Sequence, residues 1–224
     1  MGRIFDPWIA AGARVDETLR GQSLESARRA HFGHFLAILI AAGACYGAVM
    51  GTFGGSRLAQ IACSAAKVPL LLLATFGLTL PSFFVLNTLL GLRGDFGRSM
   101  RKLGAAQATL TIVLASLAPL TALWYVSVPD YHDAILFNAG MFAIASFAAQ
   151  WGLRRSYREL IMRNRRHAWT LRAWLVIYSF VGVQMGWVLR PFVGDPALPT
   201  TFFRINAFTN AYTFVAHLVA EKLR

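Results

Sequence analysis

The sequence predicts an all-α fold: a polytopic transmembrane helical bundle of five spans with an amphipathic helix after it. Three observations carry that prediction. Hydrophobic residues make up 56% of the 224-residue chain and charged residues 14%, against roughly 25% charged in soluble domains. The apolar residues run in long blocks rather than at amphipathic spacing, more than a soluble surface could cover. The basic residues collect in short segments between the blocks. A net charge of +12 is then a topology signal rather than a nucleic-acid footprint, and no nucleic acid is expected as a partner.

The elements follow in order. Residues 1–30 are polar and read as a cytoplasmic N-terminal arm, with no cleavable signal peptide. Ile4, Trp8 and Ile9 with Asp16, Glu17 and Arg20 allow a short surface-lying helix; a partly ordered tail is the alternative. The bundle takes up 31–200. Its spans are Phe35–Phe53, Val68–Leu92, Leu103–Val126, Ala134–Leu153 and Leu171–Leu189, each near the length a bilayer requires and free of interior Asp, Glu, Lys and Arg. Residues 201–224 form the C-terminal helix. Its apolar block Phe202–Ala220 carries Asn206, Asn210, Thr213 and His217 on one face, which favours lying in the interface over crossing; six spans is the alternative.

Orientation comes from the cations near the spans. Arg28 and Arg29 precede span one. Arg93, Arg98, Arg101 and Lys102 follow span two, and a run from Arg154 to Arg172 follows span four. The other side has Arg57, Lys67, Arg190 and Arg204, and a short loop with Asp130 and Asp133. The N-terminus is therefore expected in the cytoplasm. Arginine outnumbers lysine 19 to 3, which fits GC-rich coding and a bacterial inner membrane.

Four features could carry function. Gly43, Gly47, Gly51 and Gly55 form three GxxxG units in register on span one, which lets another backbone approach closely. The contact lies either within the chain or in a self- or partner-helix seam. Pro81 and Pro119 predict kinks, which either line a transport route or serve packing alone. Arg154, Arg155, Arg158, Arg163, Arg165 and Arg166 lie on a helical extension of span four, where Glu159 is spaced to pair with Arg163. They suit anionic lipid or an acidic partner. At the other side Trp187 and Arg190 anchor the end of span five, and Gly194, Asp195 and Pro196 make a turn that can bring Asp195 back to Arg190.

Catalytic chemistry is not expected. There is no GxSxG, HExxH, P-loop or paired-carboxylate motif. Cys45 and Cys63 form no CxxC, and no metal or cofactor is indicated. The interior polar residues Asn87, Thr88, Gln107, Thr109, Thr111, Asn138, Gln150 and Gln184 are amides and hydroxyls, suited to hydrogen bonds between helices.

The stretch from Lys67 to Leu120 resembles the Yip1-like family of multi-pass membrane proteins. An apolar helix is followed by the glycine- and arginine-containing run Gly91–Gly104 with Phe96, then by a second apolar helix with Pro119. The resemblance implies about five spans, no enzymatic centre and, by likeness to the trafficking adaptors of the family, a role in organising other membrane proteins. The expected function is thus a non-catalytic scaffold, adaptor or accessory subunit of a membrane assembly. Its partners would be anionic lipids and other membrane proteins or further copies of itself. A passive channel for a small solute is the alternative.

Overall fold

The computed structural model describes residues 24–55, 57–195 and 199–203. Among them every regular element is helical: α1 Leu24–Met50, α2 Leu58–Leu89, one 3-10 turn at Arg93–Asp95, α3 Phe96–Ser127, α4 Tyr131–Arg163 and α5 Arg166–Leu189. Four of them, α2 to α5, are long and apolar enough to cross a membrane, and α1 holds a shorter apolar stretch, Phe35–Met50. An apolar block out of water must satisfy its own backbone polar groups, and a helix does so within one segment. The N-terminal arm to residue 23 and most of the Phe202–Ala220 block lie outside the described residues.

The helices outrun the apolar blocks. α2 begins at Leu58 rather than Val68, α3 at Phe96 rather than Leu103, and α4 continues past Leu153 to Arg163. With 32 residues each, α2 and α3 are about 48 Å long, against about 30 Å for a hydrocarbon core. Lys67, expected in a loop, therefore lies inside a helix. α2 runs through Pro69 and Pro81, and α3 through Pro119. Local chemistry fixes the ends. Gly91 has φ +72, and behind it the amides of Gly91 and Leu92 donate to the carbonyls of Thr88 and Asn87, a Schellman closure of α2. At the start of α4 the Asp130 carboxylate accepts from the Asp133 amide at 3.0 Å.

Short connections place the α2–α3 and α4–α5 turns at one, arginine-rich end of the bundle and the α1–α2 and α3–α4 turns at the far end. α1 packs on both α2 and α3; α4 lies against α3 and α5 against α2, while α4 and α5 hardly touch. One core cluster, with Tyr46, Leu72, Leu114 and Met141, fills the far half; another, with Phe83, Leu103, Tyr157 and Trp174, fills the arginine-rich half.

The α1–α2 contact is built on glycine. A Cβ placed on Gly43 would meet Pro69 at 3.3 Å, one on Gly51 would lie 2.6 Å from Ile61 Cα, and one on Gly47 would strike the Ser64 carbonyl. The close approach is thus within the chain. Gly55 is not part of it. α1 ends at Met50, so the i, i+4 register stops short of Gly55, which takes φ +115 in the turn with open space around it.

Buried amides join the other helices. Asn138 on α4 accepts from the Tyr46 hydroxyl of α1 at 2.9 Å and donates to the Tyr125 hydroxyl of α3 at 2.5 Å. Gln107 on α3 accepts from Tyr178 of α5 at 2.6 Å and donates to the Leu72 carbonyl of α2 at 3.3 Å. Asn87 donates to Phe83 within α2.

Candidate functional site

At the far end, the segment after α5 folds back as a strap over the start of α2. Arg57, Gln60, Ser64 and Lys67 are three or four residues apart, so they share one helix face. All four donate to strap carbonyls: Arg57 Nη2 to Asp195 at 2.9 Å, Gln60 Nε2 to Phe192 at 3.4 Å, Ser64 Oγ to Phe192 at 2.5 Å, and Lys67 Nζ to Pro191 at 2.7 Å and Thr201 at 3.3 Å. Gly194 presses on Gln60 so closely that a Cβ there would sit 2.5 Å from its Cδ.

Lys67 is completely buried, and its ammonium also faces the Phe202 ring at 5.0 Å. A buried charge is tolerable only when its donors are met. Here backbone carbonyls and a ring face do so, with no carboxylate in ion-pair reach among the described residues. The expected anchors lie where α5 runs into the strap, Trp187 in the last turn of the helix and Arg190 and Asp195 beyond it. The Arg190 guanidinium lies 3.3 Å from the centre of the Trp187 ring, and Asp195 contributes its carbonyl to Arg57. Sequence reasoning missed the α2 row. Its signal was the helical spacing of Gln60, Ser64 and Lys67 directly before an apolar block.

At the other end the turns are cross-tied. Arg166 donates to the Leu90 carbonyl at 3.1 Å, joining the α4–α5 turn to the end of α2. Buried His167 lies 3.4 Å from Asp95, which also pairs with Arg98. Glu159 pairs with Lys102 of α3 at 3.3 Å, where spacing had suggested Arg163; Lys102 also reaches the Ser156 carbonyl one turn away. Arg154, Arg155, Arg158, Arg163 and Arg165 are exposed. They make no hydrogen bond or ion pair with any described residue. Of the six arginines singled out, Arg166 alone is committed to the fold.

Chemically, the far end is a closed brace and the arginine-rich end an open array of donors. Among the described residues no three His, Cys, Asp or Glu side chains group as a metal site. No family model, curated protein or solved structure matches the chain.

Proposed function

We propose that this chain is a non-catalytic integral membrane protein that organises or stabilises a membrane assembly through its arginine-rich face. In this reading it has five spans in a bacterial inner membrane, with the arginine-rich end in the cytoplasm. The likeness to the Yip1-like adaptors agrees with that role. The observation that carries it is the set of five exposed guanidiniums that make no hydrogen bond or ion pair with any described residue, gathered at one end of the bundle. The glycine face is used against α2, and the exposed arginine face is a polar surface open to others. Gln107 and Asn138 are bound between helices, which speaks for a scaffold over a solute path.

The test is the triple change of Arg155, Arg163 and Arg165 to Gln. Each arginine near an anionic surface adds about 1 kcal/mol, so the loss of three weakens association by up to roughly a hundredfold at low salt. Protein purified in mild detergent should lose its anionic lipid and associated proteins in this variant, and in wild type as salt rises, with an unchanged melting curve. Retention equal to wild type at low salt would overturn the proposal.

Orientation is tested separately. In a background with Cys45 and Cys63 replaced, single cysteines at 129–133 should react with a membrane-impermeant maleimide on intact cells, and those at 154–166 only after lysis. Labelling of 154–166 on intact cells would reverse the assignment.

A further inference from the structure

α4 and α5 follow one another across a two-residue turn yet hardly touch. Between them runs an open groove of about 450 Å³. On α4 it is lined by Gln150 and Arg154, one turn apart; Arg158 continues the same stripe. On α5 it is lined by Val176, Ser179, Phe180 and Val183; Arg172, one turn before Val176, begins that stripe. The helices are antiparallel about the turn at Asn164 and Arg165, so residues at equal distance from it share a depth. Arg158 and Arg172 are level with each other. Arg154 is level with Val176, Gln150 with Ser179, and Phe180 and Val183 lie deeper.

From the arginine-rich end inward, the groove thus offers cations, then an amide and a hydroxyl, then hydrocarbon. That is the order of phosphate, glycerol ester and acyl chain in a phospholipid. The levels are about 6 Å apart. Val176, Phe180 and Val183 are each more than half exposed. The Arg154 and Arg158 guanidiniums have no partner among the described residues, and Arg172 lies over the exposed Trp169 ring at 5.7 Å, an indole suited to headgroup depth.

We propose that the α4–α5 groove binds one anionic phospholipid, with its phosphate held by Arg154, Arg158 and Arg172, its upper part passing Val176 and an acyl chain along Phe180 and Val183. The site rests on the chain crossing a membrane, but not on the scaffold role. It uses none of the three arginines changed in the test above.

The full chain is purified from mixed micelles of phosphatidylcholine and phosphatidylglycerol in equal amounts, and retained lipid is counted by native mass spectrometry. Wild type should keep one phosphatidylglycerol in preference to phosphatidylcholine. Arg154→Gln with Arg158→Gln should lower that retention at least tenfold. Val176→Trp, at an exposed position that tolerates bulk, should exclude both lipids. Arg93→Gln with Arg101→Gln, which removes two charges at the same end but off the groove, should stay within twofold of wild type. Equal retention of the two lipids by wild type would overturn the proposal, as would no loss in the Arg154 and Arg158 variant. A photoreactive residue at 176 that captures residues 204–224 or a second copy of the chain, rather than lipid, would also overturn it.

Discussion

Gly47→Leu should destabilise the bundle by about 3 kcal/mol or more, at the upper end of what overpacking usually costs. Even the Cβ would strike the Ser64 carbonyl, and backbone cannot rotate aside as a side chain can. α1 would have to move away from α2, losing the contacts at Pro69 and Ile61 as well. Helix–helix association in lipid depends on such close packing, since water does not drive it. Gly140→Leu is the matched control. It lies mid-helix in α4 with nothing within 4 Å of a Cβ, and leucine is the better helix former, so that variant should melt at or slightly above wild type. Thermal unfolding in detergent, with oligomer size followed alongside, measures both. A Gly47→Leu protein that melts with wild type would mean that the two helices do not meet at that face. A change of oligomer size without loss of stability would move the glycine contact between chains.

Lys67→Met should release the strap. The substitution keeps the stem and removes the ammonium, leaving the Pro191 and Thr201 carbonyls without their donor. An orphaned buried polar group costs about 1–3 kcal/mol; Pro191 is half-buried and Thr201 exposed, so water can replace part of what is lost and the expected cost is about 1–3 kcal/mol in all. It should be concentrated in the strap, as faster hydrogen exchange and new protease cleavage across 191–203. Lys102→Met removes a lysine of the same type from a pair whose Glu159 side chain is 76% exposed, and should cost under about 1 kcal/mol. Equal effects at the two lysines, or an unchanged strap in Lys67→Met, would show that burial is not what gives Lys67 its weight.

The apolar blocks of the sequence revealed where helices lie but not where they stop. Hydropathy measures which residues suit a hydrocarbon environment, whereas a helix continues as long as its backbone bonds close. Gln60, Ser64 and Lys67 therefore looked like loop residues although they sit within α2, and Phe96–Lys102 looked like loop at the start of α3. The glycine face was legible because residues without a Cβ at fourfold spacing have few other uses. Its partner was not legible, since small residues say how near another backbone comes and not which one. The arginine-rich extension of α4 was legible as helix only as far as Arg163: Arg165 lies in the turn and Arg166 opens α5. The commitment of Arg166 to the Leu90 carbonyl was not, because the acceptor is main chain and leaves no trace in residue identity. Nor was the groove, whose residues come together only because α4 and α5 diverge.

The brace at the far end also imposes an order on how the molecule is made. Lys67 and the Pro191 carbonyl are 124 residues apart in the chain. At about 5–20 residues per second of synthesis, the lysine emerges on the order of ten seconds before its acceptor exists. Until then its ammonium has to remain hydrated, so the leading turns of α2 cannot close over it while the next three helices are being made. The chain cannot seal that end piecemeal. The segment that follows α5 completes the environment of a residue in the first third of the chain, and a chain halted before residue 191 would leave the Lys67 ammonium without its Pro191 acceptor.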